Sequence, residues 1–557
     1  MKSKAFIIAL LCLVCAPFLR AANQTKATVI QIQFSDLSFT CPAAKIDSIL
    51  NEAALYWTEQ HCGATVFSFV KGPAVTLSRS YKYYGANASD SHDALAYAAV
   101  KDACNEADDA LDFSKAGHLV FLVPGKSEPA SGNTDLFWPQ FASLEDRSIE
   151  FYKDGRRITD YIIVNELGAD GNIAGIGDLC HEFGHLLGLK DFYDTDGDGS
   201  GGTSKAMWGS LAIMDKGNAN DGGHTPPYLN AVERWCLEIG SCSPIDTSGI
   251  YTLETIERHG KYLSIGADDN KDFYLLENRS GTGRDAAIGG QGLVLYHVNQ
   301  SSKPAGYSTY YQEVISATQR WKLNQINCNP DHQCACVVPA DEAATSVAGV
   351  FFTSQGPELP LCIRDISFDA EGSARFTAFR PLVLTGTGVY QTDATLSWKT
   401  DAIAGALDSC SVVLSAGGQD RRVPVISGDA NSHGCIIGGL TPKTVYTYVI
   451  KAHYAGGRCY SISGSFTTSA FRSGTFPFIF LPSTGRNKDG SFRTGTGIPL
   501  VIFNAPDAVA TSWTFDGAPV APGADGLFPL TRSGILRAEA IRADGSKEIL
   551  VKEVSVR

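Results

Sequence analysis

His181-Glu182-Phe183-Gly184-His185-Leu186-Leu187-Gly188 is the stretch whose reading decides the fold. Side chains four residues apart on a helix lie on one face, so His181 and His185 can reach one ion together. Glu182 stands beside the first imidazole, where a carboxylate can serve as general base on a metal-activated water. Zinc suits this donor pattern and lowers the pKa of its water from about 15.7 toward about 7. Leu179, Phe183, Leu186 and Leu187 recur at helical spacing and place the motif inside a helix read over 171–189. Gly188 can take backbone angles that other residues resist, so the chain can turn out of the helix there.

Upstream of this helix, strands alternate with helices. Thr28–Phe34 (TVIQIQF), Leu119–Val123 and Tyr161–Val164 read as strands, and 43–60 and 94–111 as helices, with a Gly/Ser/Pro loop near 126–134. This alternation predicts an α/β domain up to about residue 243. Past Ser243-Pro244 the texture changes to short alternating runs such as 273–276 and 293–298, separated by turn residues and without a long helix. The remainder reads as all-β, with breaks near Arg380-Pro381 and 469–474. Over 381–470, Trp398, Leu440-Thr441-Pro442, Tyr446 and Tyr448 resemble the core Trp and the Tyr-bearing strand of a fibronectin type III module. The last segment, with Trp513 and the alternating Ile549, Val551, Val554 and Val556, reads as a further sandwich.

The termini and composition bound the setting. Lys2 and Lys4, an apolar run over 5–19 and the small Ala21-Ala22 have the layout of a secretory signal peptide, so the mature protein is expected to be secreted. The run is short for a membrane span, which needs about 20 residues, and no second one follows. Of 557 residues 44% are apolar and 19% charged, and the net charge of -13 excludes a nucleic-acid partner, which needs clustered Lys and Arg. Cysteines in a secreted chain are expected to pair. Cys236 with Cys242, and two bonds among Cys328, Cys334, Cys336 and Cys362, are the local expectation; Cys410, Cys435 and Cys459 share a later segment. The Cys334-x-Cys336 pair lacks the second pair that a zinc ribbon requires.

After Gly188 come Leu189-Lys190-Asp191. In metzincins the residue at the position of Asp191 folds back to the metal and is usually His; a carboxylate is an equally valid zinc ligand. Met214, in Leu211-Ala212-Ile213-Met214-Asp215, stands where a metzincin places its Met-turn. His181–Asp194 (HEFGHLLGLKDFYD) resembles the zinc motif of immune inhibitor A-type metallopeptidases, which are secreted bacterial proteases. The similarity includes Phe34-Ser35-Asp36, Tyr83-Tyr84-Gly85, 112–115, Phe137-Trp138-Pro139, 208–214, Pro226-Pro227-Tyr228-Leu229, 276–279, 292–298 and Asn324-x-x-Asn327, and spans about 27–380. It implies His181, His185 and Asp191 as ligands of one catalytic zinc, Glu182 as base, and protein or peptide substrates. Lys190 departs from a common Pro and Asp215 from a common Ser. The first strand begins almost at the expected cleavage point, so latency through a propeptide is not expected. The expected organisation is a signal peptide over 1–22 and an α/β catalytic domain of zincin, metzincin-like type over 23–243. An associated β-rich domain over 244–380, a fibronectin type III-like domain over 381–470 and a C-terminal β-sandwich over 471–557 complete it.

Three further readings follow. Asp194, Asp196 and Asp198 before Gly199 resemble the start of a calcium loop, although its twelfth position is Lys205; bound calcium and a solvated acidic turn both remain open. His224 and Tyr228 are candidates to stabilise the oxyanion, against a structural role for either. Against the peptidase stand an adhesive, glycan- or protein-binding surface protein that keeps an inactive protease-like domain, and a purely structural zinc site. The intact Glu182 speaks against the first, and a set of only three nameable ligands against the second.

Overall fold

The computed structural model describes residues 23–557 except 89–91, 146–147, 202–207, 267–270, 341–346, 355–360, 390–392, 429–430, 442, 470–477, 481–499, 504–507, 522, 524–526, 543–546 and 557. The expected signal peptide, Lys205, Pro442 and the break at 470–474 therefore lie outside the described residues. The chain divides into two compact units, one built from 23–246 and 250–376 and the other from 247–249 and 377–557.

The first unit begins with a mixed sheet. Its strands are β1 (Asn23–Gln33), β2 (Thr65–Thr76), β3 (His118–Lys126), β4 (Gln140–Ser143) and β5 (Asp160–Leu167). They run in the order β2-β1-β3-β5-β4, all parallel except the edge strand β4. The apolar runs of β3 and β5 have six consecutive buried residues each, as strands covered on both faces require. Alternate residues point to opposite faces. Val29, Val120, Leu122, Ile162 and Val164 pack with α1 (Ala43–Gln60) and α3 (Gly177–Leu187). Ile30, Ile32, Leu119, Phe121 and Ile163 pack with α2 (Ala96–Ala107), whose inward face is Ala96, Ala99, Val100 and Ala103.

Two differences from the sequence reading have local causes. The helix expected over 171–189 begins only at Gly177, because 168–174 first fold back on β5. Gly171 turns with φ +81°, Ile173 bridges Leu167, and Ala174 N–H donates to the Glu166 carbonyl at 2.8 Å. The strand β4 was not anticipated; four residues flanked by turns carry little periodicity.

The segment after 243 continues the same unit. β6 (Ser241–Pro244), β7 (Lys261–Ile265), β8 (Asp272–Arg279), β9 (Gly292–Asn299) and β10 (Ala335–Val338) form a second sheet in the order β10-β9-β8-β7-β6. One continuous apolar cluster takes in Trp57, Phe183 and Met214 together with Leu275, Val294, Tyr296 and Val337. The boundary expected near 243 is thus not a boundary between compact units. Trp208 joins the two parts: it stacks on Phe192 at 4.3 Å and on Tyr296 at 5.1 Å, and its indole N–H donates to the Ala335 carbonyl at 3.1 Å.

In the second unit, residues 382–467 form two four-stranded antiparallel sheets with Trp398 buried. A three-stranded and a four-stranded sheet follow over 478–554. Among the described residues the structure shows none of the expected disulfides. Cys104, Cys180, Cys328, Cys334 and Cys435 are buried and pack as small apolar side chains.

Replacing Trp208 by Ala removes an aromatic wedge common to both parts of the first unit. The expected cost is about 3–5 kcal/mol of unfolding free energy, read by denaturant titration of the full chain. A loss below about 1 kcal/mol would show that the two parts do not depend on this wedge.

Candidate active site

The His helix α3 ends as its sequence requires. Gly188 adopts φ +110°, a left-handed conformation open to glycine, and Leu189 N–H closes back on the Gly184 carbonyl at 2.9 Å. The reversal sends 189–191 back along the helix. Asp191, buried, then places Oδ1 3.3 Å from His181 Nε2 and 3.2 Å from His185 Nε2. Donors bonded at about 2.0–2.1 Å to a tetrahedral zinc stand about 3.3–3.4 Å apart, so this spacing fits the ion. Asp191 Oδ1 is buried and faces no polar group but the two imidazole nitrogens, as expected of an atom aimed at a cation. The ligand atoms of His181, Glu182 and His185 also lie within 4.8 Å of one another.

Both imidazoles are oriented by backbone carbonyls. His181 Nδ1 lies 2.8 Å from the Ile213 carbonyl, and His185 Nδ1 lies 3.1 Å from that of Leu189. Donation from each Nδ1 leaves each Nε2 as the donor atom for a metal. The Met214 segment packs against the His helix. Its thioether rests against Gly184, where an added Cβ would come within 2.9 Å of the sulfur, and its carbonyl accepts from Phe192 N–H at 2.8 Å. Glu233 holds this turn by accepting from Met214 N–H at 3.1 Å, and Asp215 accepts from Gly209 N–H at 2.8 Å.

Glu182 is buried, and its Oε2 accepts from Phe141 N–H on β4 at 2.6 Å. Burial pushes its carboxyl up to about 7, against the lowering influence of the two imidazoles. At His181 burial acts downward, but Asp191 and Glu182 outweigh it and raise the imidazole to about 9. Asp191 is also desolvated, yet the His pair holds it well below the carboxylate range.

The oxyanion candidates are not brought to this set. The Tyr228 hydroxyl lies over Gly283, and His224 lines a polar cavity with Asp170, Asp178 and Asn218. The phenol beside the carboxylates is Tyr193, which burial and the Asp191 and Glu182 charges push up. Nothing in the spacing marked Tyr193, and the Phe141 N–H and the two orienting carbonyls are backbone groups that no residue type signals. In the acidic loop, Asp194 and Asp196 converge with Cys328, and the Asp196 carboxylate is engaged by the Ser200 hydroxyl at 2.5 Å. Asp198 is outside that group, and a thiol does not belong to the oxygen-only set that calcium takes, so calcium has no support here.

Residues 142–231, which contain His181, Glu182, His185, Asp191 and Met214, match the family model described as immune inhibitor A peptidase M6, catalytic domain. That is the family the sequence resembles, and the matched segment is similar to a metallopeptidase catalytic domain. The match covers about a sixth of the chain. No curated protein matches the chain. Among solved structures, a Yersinia enterocolitica family 28 exopolygalacturonase aligns at 16% identity over 16% of this chain and 20% of that one, with a TM-score of 0.12. The N-terminal Ig1-2 module of the Drosophila receptor protein tyrosine phosphatase DLAR aligns at 13% over 32% of this chain and 99% of that one, with a TM-score of 0.15. A two-domain fibronectin type III segment of chicken tenascin aligns at 14% over 31% and 97%, with a TM-score of 0.14. The chain spans about a fifth of the first of these, and at such TM-scores the three carry no argument about the fold.

Removing one donor of three should empty the site. Asp191→Ala and His185→Ala are each expected to lose zinc on dialysis, where the unmodified chain keeps about one per molecule, as metal analysis of the purified proteins would read. Retention of a full equivalent in Asp191→Ala would remove Asp191 from the ligand set.

Proposed function

We propose that the chain is a secreted zinc-dependent endopeptidase of zincin, metzincin-like type, with His181, His185 and Asp191 as ligands and Glu182 as general base. The observation that carries this reading is the convergence of Asp191 Oδ1 on both Nε2 atoms at tetrahedral-site spacing, with a buried carboxylate beside them. Zinc, when bound, supplies Lewis acidity toward the scissile carbonyl and makes a water acidic enough to attack it at neutral pH. The chain's own groups do the rest. Glu182, poorly solvated and oriented by the Phe141 N–H, takes the proton of the attacking water and passes it to the leaving amine. β4 is the edge of its sheet, so an extended peptide can lie along it as an added strand and present its carbonyl to the site. Tyr193 offers a hydroxyl beside the carboxylates for the developing oxyanion.

Secretion rests on the N-terminal segment over 1–22. Among the described residues no helix is long and apolar enough to cross a membrane. Residues 381–470 are read as a fibronectin type III-like sandwich. In support, the Tyr446 hydroxyl accepts from Thr441 N–H at 2.8 Å, five residues upstream, as a tyrosine corner does. With the sandwich over 471–557 it is available to position substrate or hold the enzyme at a surface.

The test is hydrolysis of casein by the mature protein beside Glu182→Ala, with zinc measured in both. Both should hold about one zinc, and the variant should lose about 10²–10⁴-fold in kcat. A chelator should abolish the unmodified protein's activity and zinc should restore it. Equal cleavage by the two proteins would exclude Glu182 as base; bound zinc with no cleavage by either would favour the adhesive protein.

A further inference from the structure

Asp191 is gripped from outside the segment that supplies the other ligands. Asn324, 133 residues downstream, accepts from Asp191 N–H through Oδ1 at 2.8 Å, and its Nδ2 donates to Asp191 Oδ2 at 2.6 Å. Its own carbonyl accepts from the Thr195 hydroxyl at 2.6 Å, four residues beyond the ligand. Asn327 continues the contact: its Nδ2 donates to the Phe192 carbonyl at 2.8 Å, and its Oδ1 accepts from Ala335 N–H of β10 at 3.2 Å. Asn329 Nδ2 donates to the Ser200 carbonyl at 2.7 Å. Three asparagine side chains in the turn after α5 (Ala317–Lys322) thus hold both ends of the loop that begins at Asp191.

A carboxylate has two equivalent oxygens and can bind a cation through either or both. Here a short charge-assisted hydrogen bond occupies Oδ2, and only Oδ1 remains to face the imidazoles. Asn324 is suited to the place, since its φ of +57° is a left-handed conformation that Asn tolerates and bulkier residues resist. We infer that Asn324 is a positioning residue for the third metal ligand, holding Asp191 by backbone and side chain so that it binds zinc through one oxygen. The inference rests on the metallopeptidase reading. It makes the β-rich segment after 243 part of the active site, and not an appendage to a complete catalytic domain.

The experiment uses the full chain carrying Asn324→Gly, which fits the left-handed backbone and removes both side-chain contacts. A second variant, Asn324→Asp, keeps the shape and the acceptor for Asp191 N–H but loses the donor to Oδ2. Asn327→Ala serves as the control, since it loosens the same loop without touching Asp191. Zinc affinity is measured by chelator competition, and geometry by the visible absorption of the cobalt(II)-loaded proteins, which is strong at four-coordinate centres and weak at five or six. Both Asn324 variants should bind zinc about 10–100-fold more weakly than the unmodified chain, with a weakened cobalt band. Asn327→Ala should lower the melting temperature of the metal-free protein and leave the cobalt band intact. An unaltered affinity and cobalt band in both Asn324 variants would overturn the inference while leaving the metallopeptidase reading standing. Failure of the unmodified chain to bind zinc would overturn that reading, and the inference with it.

Discussion

The structure of the site depends on one buried carboxylate set against two imidazoles. Taking a charge such as that of Asp191 out of water costs several kcal/mol unless the surroundings compensate. Here they do so on every side. The imidazoles face Oδ1, and Asn324 holds Oδ2. The neighbouring backbone is fixed by Met214, and the apolar shell around Trp208 keeps the surroundings dry. A low local dielectric makes each of these contacts stronger and makes a missing partner more costly. It also explains why the two carboxylates of the site behave oppositely. Asp191, paired directly with both imidazoles, stays ionised, whereas Glu182, with a single backbone N–H, is raised to about 7. One environment thus sets the two carboxylates apart.

The second constraint is the fusion of two sheets into one unit. The first sheet supplies the helix and the edge strand of the cleft, and the second stands behind the ligand loop. Between them lie buried polar groups that have partners. Glu277 accepts from Ala231 N–H at the start of α4 (Ala231–Cys236) and from the Tyr296 hydroxyl, and Arg279 pairs with both Glu277 and Asp285. Such groups add little to stability compared with an apolar replacement, but they favour one arrangement over nearby alternatives. Glu233, capping α4 and bonded to Met214 N–H, ties this network to the floor of the site.

Much of the site was legible in the residues because the relevant physics is local. Two imidazoles at a four-residue spacing must share a helix face, and a glycine able to take positive φ must follow if the chain is to double back. The strands around Phe121 and Ile163 were legible because strands buried on both faces carry unbroken apolar runs. The readings that depend on distance along the chain fared differently. His224 and Tyr228 follow the Met turn in order, yet the chain carries them to a cavity and to Gly283, while Tyr193 is set beside the carboxylates. The cysteines read as a disulfide framework, yet several of them are buried among apolar side chains, where burial alone suits a thiol.

By itself the sequence determined the pair of imidazoles on one helix face, the helix that carries them, the glycine at which the chain can turn out of it and the order of α/β and β-rich segments. Each of these follows from periodicity, backbone freedom or ligand chemistry within about a dozen residues. The tertiary structure alone decided the rest. It determined that β4 brings the Phe141 N–H to Glu182, that the Ile213 and Leu189 carbonyls orient the imidazoles, and that Asn324 reaches Asp191 across 133 residues. Backbone donors and acceptors are the same at every residue and leave no trace in residue identity. A contact between remote segments depends on how whole sheets pack, a property of the assembled core that no local pattern encodes.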